Sequence, residues 1–170
     1  MRVGLTLNGK PQGYDLEPRE TLADSLRERS GLTALHLGCE HGACGACTVL
    51  LDGAPVRSCL VLTAMCESRT VRTLEGLRDD PTMIALKRAF HECHSLQCGF
   101  CTPGMLVAAW DIVRRHRVLD AAMVRHALAG QICRCTGYVG IVNAILQAHA
   151  AVRPQPAHQP DPAEIPGANA

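Results

Sequence analysis

The stretch GCEHGACGACTVLLDG, residues 38–53, decides how the first half of this chain is read. It sets three cysteines at Cys39-x4-Cys44-x2-Cys47, and a fourth, Cys59, follows after eleven intervening residues. The x4 and x2 intervals are the plant-type spacing of a [2Fe–2S] cluster. Two irons bridged by two sulfides need four thiolates on a compact rhomb. A short loop can supply three of them and a following strand the fourth. Gly38, Gly42 and Gly45 let the loop backbone approach a cluster, because they lack a Cβ. A structural zinc site on the same four cysteines is the competing reading. Zinc favours two short Cys-x2-Cys knuckles, and only Cys44/Cys47 makes one. His41 is read as a solvent-facing loop residue, since Rieske-type ligation needs two histidines.

Residues upstream of this loop alternate, with Val3, Leu5 and Leu7 on one face, which predicts a half-buried strand over 2–7. Asn8-Gly9 suits a tight turn into a second strand over 13–16. Thr21 is placed to cap a helix running to about Arg29, with Gly31 just past its end. Downstream, 48–51 and 55–60 read as strands around an Asp52-Gly53 turn, and 71–74 as one more. The first half is therefore a small mixed sheet with one helix. The punctuation then changes. Asp80-Pro81 and Thr102-Pro103 each put a cap residue before a proline, starting helices toward His91 and Val113. Asp120 opens a third helix that stops at Gly130, and a fourth covers Val139 to Ala150. These readings place a domain over 1–78, a compact four-helix domain over 79–152, and a Pro- and Ala-rich tail over 153–170 that cannot bury enough apolar surface to order itself.

The second cysteine group lies among those helices. Cys98-x2-Cys101 and Cys133-x-Cys135 are separated by 31 residues, and each pair precedes a predicted helix. Unpaired N–H groups and partial positive charge at a helix N-terminus favour thiolates and can donate to cluster sulfur. A Cys-x-Cys pair suits tetrahedral zinc poorly. A thioredoxin-like role for Cys98/Cys101 would need a βαβ setting that is missing. A zinc site from His91, Cys93, His94 and Cys98 is a further alternative, although the histidines fit a polar helix face. Cys66 and Cys93 are left over and read as small buried hydrophobes.

Bulk properties exclude several classes. Seventeen basic and sixteen acidic side chains give the 170 residues a formal charge of +1, so no strong field steers the chain to nucleic acid. The basic run Arg114-Arg115-His116-Arg117 is read as a solvated helix C-terminus. No apolar run reaches the roughly 18 residues of a membrane span, and Met1 to Lys10 does not read as a signal peptide. Ten cysteines without an export signal point to metal binding in a reducing cytoplasm rather than to disulfides.

The stretches GCEHGACGACTVLLDG (38–53), SCL (58–60), LQCGFCTPGML (96–106) and ICRCTGYVGIVNAI (132–145) carry a resemblance. Over roughly residues 2–150 the chain resembles the small iron–sulfur subunit of the molybdenum hydroxylases, the xanthine dehydrogenase/aldehyde oxidase/carbon monoxide dehydrogenase superfamily. The resemblance implies an α+β fold, a plant-ferredoxin-like β-grasp domain followed by a four-helix domain. It implies that Cys98, Cys101, Cys133 and Cys135 hold the cluster proximal to a molybdopterin cofactor, in its cytosine dinucleotide form, on a large partner subunit. Cys39, Cys44, Cys47 and Cys59 would hold a distal cluster nearer FAD on a medium subunit, in a heterotrimer or a dimer of heterotrimers. Gln97 would hydrogen-bond the pterin, and Cys135 would link pterin and cluster. The chain would relay electrons and transform no substrate itself. A free-standing two-cluster carrier and a zinc-binding interaction module are the alternatives. Thr33-Ala34-Leu35-His36, where many relatives have a Gly-Thr-Lys-like run, and the short stretch after Cys66 depart from the family pattern and bear on partner contacts.

Overall fold

A computed structural model describes residues 1–153. Alternating burial makes β1 (Arg2–Leu7) a half-buried strand, and Asn8 and Gly9, both at positive φ, turn it into antiparallel β2 (Lys10–Asp15). The second strand therefore begins three residues before the expected start, because pairing follows the tight turn and runs from Leu7↔Lys10 to Arg2↔Asp15. Thr21 caps α1 (Leu22–Asp24), accepting from the Asp24 N–H, and α1 continues as a π-helix over Ser25–Arg29. Gly31 follows at φ 65°. β3 (Thr48–Leu51), β4 (Ala54–Arg57) and β5 (Thr70–Arg72) complete a five-stranded sheet in the order β2-β1-β5-β3-β4. Only β1 and β5 run parallel. The last strand lies slightly N-terminal to the expected 71–74, where Thr6↔Thr70 and Leu51↔Val71 set its register.

The second half holds α2 (Pro81–Glu92), α3 (Thr102–Arg115), α4 (Ala121–Ala127) and α5 (Val139–Val152). The Asp80 carboxylate accepts from the Thr82 and Met83 amides, and Asp120 accepts from Met123, so both expected caps form. The cap of α3 is Cys101 rather than Thr102, which enters the first turn with Pro103. The α4 helix ends at Ala127, short of Gly130. The expectation of a tail falls mostly on residues outside those described. Its first residue, Arg153, is tied down by donating to the carbonyls of His116 and Arg114. The basic run sits at the exposed end of α3, with Arg114 over the Trp110 ring.

Two cores result, and β3 lies between them. Val49 and Leu51 pack with Val3, Leu22, Leu26 and Val71 beneath the sheet. Leu50, on the opposite face, packs with Met105, Ala109 and Ile145 of the helices. All four residues of β3 are buried, as expected for a strand covered on both faces. The strand that ends the cysteine loop is thus also the strand on which the helical half is docked. No helix among the described residues is long and apolar enough to cross a membrane.

Candidate functional site

Each cysteine group gathers in space. In the first, the loop before β3 folds with Glu40, Gly42 and Gly45 at positive φ. The Cys44 amide donates to Cys39 Sγ at 3.3 Å, and the Cys47 and Cys59 sulfurs lie 3.4 Å apart. Cys59 is not on a strand, as 55–60 suggests. Pairing ends at Thr48↔Arg57, and a 3-10 turn over Ser58–Leu60 carries Cys59 back toward the loop. Ser58 secures that turn by donating to the Cys47 carbonyl at 2.8 Å. His41 is exposed, and its ring bonds the Cys39 carbonyl.

In the second group, Cys98 and Cys135 have sulfurs 3.6 Å apart and are both exposed, whereas Cys133 is buried. This pair of thiols is therefore open to solvent in the isolated chain. Cys101 stands at the start of α3, as the helix-terminus reading expects. Cys133 and Cys135 lie farther from α5, and Thr136 supplies the donor instead, its hydroxyl reaching Cys133 Sγ at 3.2 Å. Tyr138 organises this turn. Its hydroxyl accepts from the Cys133 amide at 2.8 Å and donates to the Gln131 carbonyl at 3.0 Å. The Gln97 side-chain amide donates to the Cys135 carbonyl at 3.1 Å, so these two sequence-predicted residues are neighbours. Cys66 is fully buried and Cys93 half-buried, both outside the two groups.

The thiols differ in acidity. The Cys44 amide, then that of His41, holds Cys39 down to about 6. Burial, and the Cys47 thiol beside it, pushes Cys59 up to about 11. Burial and Cys133 push Cys101 up to about 12. Burial would raise Cys133 as well, but donors from Thr136 and the Cys135 backbone outweigh it and bring the thiol below its ordinary value. Binding iron at the buried thiols therefore displaces protons, which couples loading to pH. Among the described residues, no three His, Cys, Asp or Glu side chains gather about one ion position. The close sulfur contacts come in pairs. Paired thiolates are what each tetrahedral iron of a two-iron cluster takes from a protein, so the donor sets fit that group.

The two sites are locked together. The Ile132 amide donates to the Cys44 carbonyl at 2.9 Å. Buried Gln131 directs its side-chain amide at the Gly45 carbonyl (3.0 Å) and its Oε1 at Arg57 Nη1 (3.1 Å). A Cβ on Gly104 would overlap the Gly45 carbonyl and come within 2.9 Å of that of Ala46. A Cβ on Gly45 would lie 2.6 Å from the Gly130 carbonyl. Gly45 thus serves the docking of the two halves as well as any approach to a cluster. Gln131, Tyr138 and Gly104 are not singled out by sequence reasoning. Their only signal is their place within or beside the quoted motifs.

Comparison with known proteins decides the class. Residues 5–70 match the 2Fe-2S iron-sulfur cluster binding domain, and residues 73–146 match the [2Fe-2S] binding domain. The beta subunit of the 6-hydroxypseudooxynicotine dehydrogenase complex of Paenarthrobacter nicotinovorans is 47% identical over 148 residues, covering 86% of this chain and 92% of the relative. The xanthine dehydrogenase iron-sulfur-binding subunit of Escherichia coli is 42% identical over 146 residues, covering 85% and 91%. This chain belongs to the small iron–sulfur subunits of the molybdenum hydroxylases. The crystal structure of quinoline 2-oxidoreductase from Pseudomonas putida 86 contains a chain of the same shape, with TM-score 0.83, 46% identity, and coverage of 92% of this chain and 98% of that one. As a member of the family, the iron–sulfur subunit is an electron-transfer component of an oxidoreductase. It joins a ferredoxin-like domain to a helical [2Fe–2S] domain. Membership removes the reading as a zinc-binding module.

Proposed function

We propose that Cys39, Cys44, Cys47 and Cys59 hold one [2Fe–2S] cluster on a domain spanning 1–78, and that Cys98, Cys101, Cys133 and Cys135 hold the second on a domain spanning 79–152. When bound, each cluster supplies a one-electron carrier. The chain's own residues fix the thiolates, aim N–H and O–H donors at sulfur, and hold the two sites at a set separation. Electrons enter at the Cys98/Cys135 side from a molybdopterin cofactor, in its cytosine dinucleotide form, on a large partner subunit. They leave at the Cys39/Cys44 side toward FAD on a medium subunit. The assembly is a heterotrimer or a dimer of heterotrimers, working in the cytoplasm, where the ten cysteines are kept from forming disulfides.

The observation that carries the direction is the exposed Cys98–Cys135 pair with Gln97 beside it. Gln97 commits its side-chain N–H to the Cys135 carbonyl, which leaves its oxygen and second N–H for a partner's cofactor. Docking a pterin edge there would tie cofactor position to Cys135. The deciding experiment purifies the chain with the products of adjacent reading frames and records EPR after dithionite reduction. Two distinct [2Fe–2S] signals at about four irons per chain, co-eluting with a molybdopterin-containing subunit, are expected. A stable iron-loaded monomer that binds no such subunit would favour a free-standing carrier, and zinc without iron would sink both readings.

A further inference from the structure

Besides the backbone bond from Ile132 to Cys44 and the Gln131 amide on Gly45, a pair of stacked rings spans the two cysteine loops. His36 lies three residues before Cys39, and Phe100 lies between Cys98 and Cys101. Their rings stack with centroids 4.7 Å apart and planes 23° apart. His36 Nδ1 is 2.7 Å from the Phe100 carbonyl oxygen. A carbonyl only accepts, so Nδ1 carries the proton. The His36 backbone N–H is anchored on the Ala46 carbonyl at 3.3 Å, inside the first loop. The Phe100 ring, carried by the second loop, covers Gly38. A Cβ there would stand 3.2 Å from Phe100 Cε1 and 3.4 Å from Cys44 Sγ. An aromatic ring from one cysteine loop therefore reaches the thiol side of the other. Phe100 is 47% exposed, so core burial is not what selects this arrangement.

We propose that His36 is a positioning residue of the electron relay. By its Nδ1–H bond and its stack on Phe100 it holds the Cys98–Cys101 loop against the Cys39–Cys47 loop. This fixes the separation and orientation of the two clusters. The inference rests on the ligand assignment above. Electronic and magnetic interaction between two carriers falls steeply with separation, so a loop released to swing weakens both.

The test uses the full chain in its complex, with His36→Ala, His36→Asn and His36→Gln compared with the unaltered protein. Iron per chain, thermal midpoint, the two cluster midpoint potentials and the EPR splitting of the fully reduced state are measured. Asn offers an N–H close to the place of Nδ1, whereas that of Gln lies one methylene farther out. The expected result is full iron in His36→Ala with collapse of the splitting and a shift of at least one potential, and restoration by His36→Asn. A lowered thermal midpoint with unaltered splitting and potentials would make His36 merely structural and overturn the proposal. Should His36→Ala fail to hold iron, the Asn and Gln variants decide. Restoration by Asn alone supports the role, and identical behaviour overturns it. Unaltered protein that lacks two clusters defeats the ligand assignment and this inference with it, so the two failures are told apart.

Discussion

Ile132 and Cys44 are joined by a backbone hydrogen bond, the Ile132 N–H donating to the Cys44 carbonyl at 2.9 Å. One partner is a candidate ligand of the first cluster, and the other immediately precedes Cys133, a candidate ligand of the second. The connection between the two sites is thus one hydrogen bond and a short run of covalent bonds. It needs close backbone approach between the two halves, which Gly45 and Gly104 permit by lacking a Cβ.

Gly104→Ala separates two effects by sign. In an ordinary helix interior, exchanging glycine for alanine stabilises by roughly 1 kcal/mol. Here the new methyl meets the carbonyls of Gly45 and Ala46, backbone atoms that cannot rotate away. Overpacking of this kind costs about 1–3 kcal/mol. The variant should therefore unfold at a lower temperature than the unaltered chain. It should also show faster amide exchange at Ile132. A raised midpoint with unchanged exchange at Ile132 would mean that the two halves do not press together at Gly104.

Asp80 ties two helices with one oxygen. Its Oδ1 accepts from the Thr82 amide (2.9 Å), the Met83 amide (3.2 Å) and Trp110 Nε1 (2.8 Å). Asp80→Ala removes an N-cap worth about 1 kcal/mol and strands a largely buried indole N–H, costing about 1–3 kcal/mol more. Asp80→Asn keeps the oxygen and should lose less than half as much. Urea unfolding measures both, with midpoints falling in the order unaltered, Asn, Ala at a constant slope. Equal loss in the two variants would show that the charge rather than the accepting oxygen matters.

Much of this architecture is legible in short stretches, because the signals are local. Asn8-Gly9 turns the first hairpin, Thr21, Asp80 and Asp120 cap the helices they precede, and the alternation of Val3, Leu5 and Leu7 survives as burial. The gathering of Cys39, Cys44 and Cys47 follows from spacing too, since these three share one loop, whereas α3 and α4 separate Cys98/Cys101 from Cys133/Cys135 in the chain. What escapes a linear reading is set by tertiary contact. The run 55–60 looks like a strand throughout, but β3 offers partners only to Arg57, so Cys59 is carried on a turn. Gly45 looks like a cluster-facing glycine, yet its hydrogen faces the Gly130 carbonyl. Tyr138 acts within its own turn and Gln131 acts across loops, and no periodicity marks either.

Glu20 gives a pH dependence with a defined sign. Its carboxylate accepts from Arg29 Nε (2.5 Å) and Nη2 (2.7 Å) and from the Ser25 hydroxyl (2.8 Å). The Arg29 bonds, opposed by some burial and aided by Ser25, hold the group below its ordinary value of 4.5. A carboxyl with a depressed folded pKa stabilises the fold above its unfolded pKa and loses that contribution as pH falls through the folded value. The stability difference between the unaltered chain and Glu20→Gln should therefore be full near about pH 7 and shrink steadily below about pH 4.5. Added salt should reduce it. A difference independent of pH would assign the effect of the substitution to packing.

Cys66 should behave as a hydrophobe. It is wholly buried, and burial raises its thiol pKa, so at neutral pH it remains protonated and out of reach of solvent. The nearest acceptor, the Leu62 carbonyl, stands at 3.8 Å. Alkylation of the folded chain followed by mass spectrometry should label half-buried Cys93 and leave Cys66 untouched until denaturant is added. Cys66→Ala leaves only a small void, costing about 1 kcal/mol. Cys66→Ser puts a hydroxyl with no close acceptor into the core under the sheet, costing about 1–3 kcal/mol. Alanine should therefore be tolerated better than serine, with iron content unchanged in both. Loss of iron in Cys66→Ala would instead bring this thiol into a ligand set.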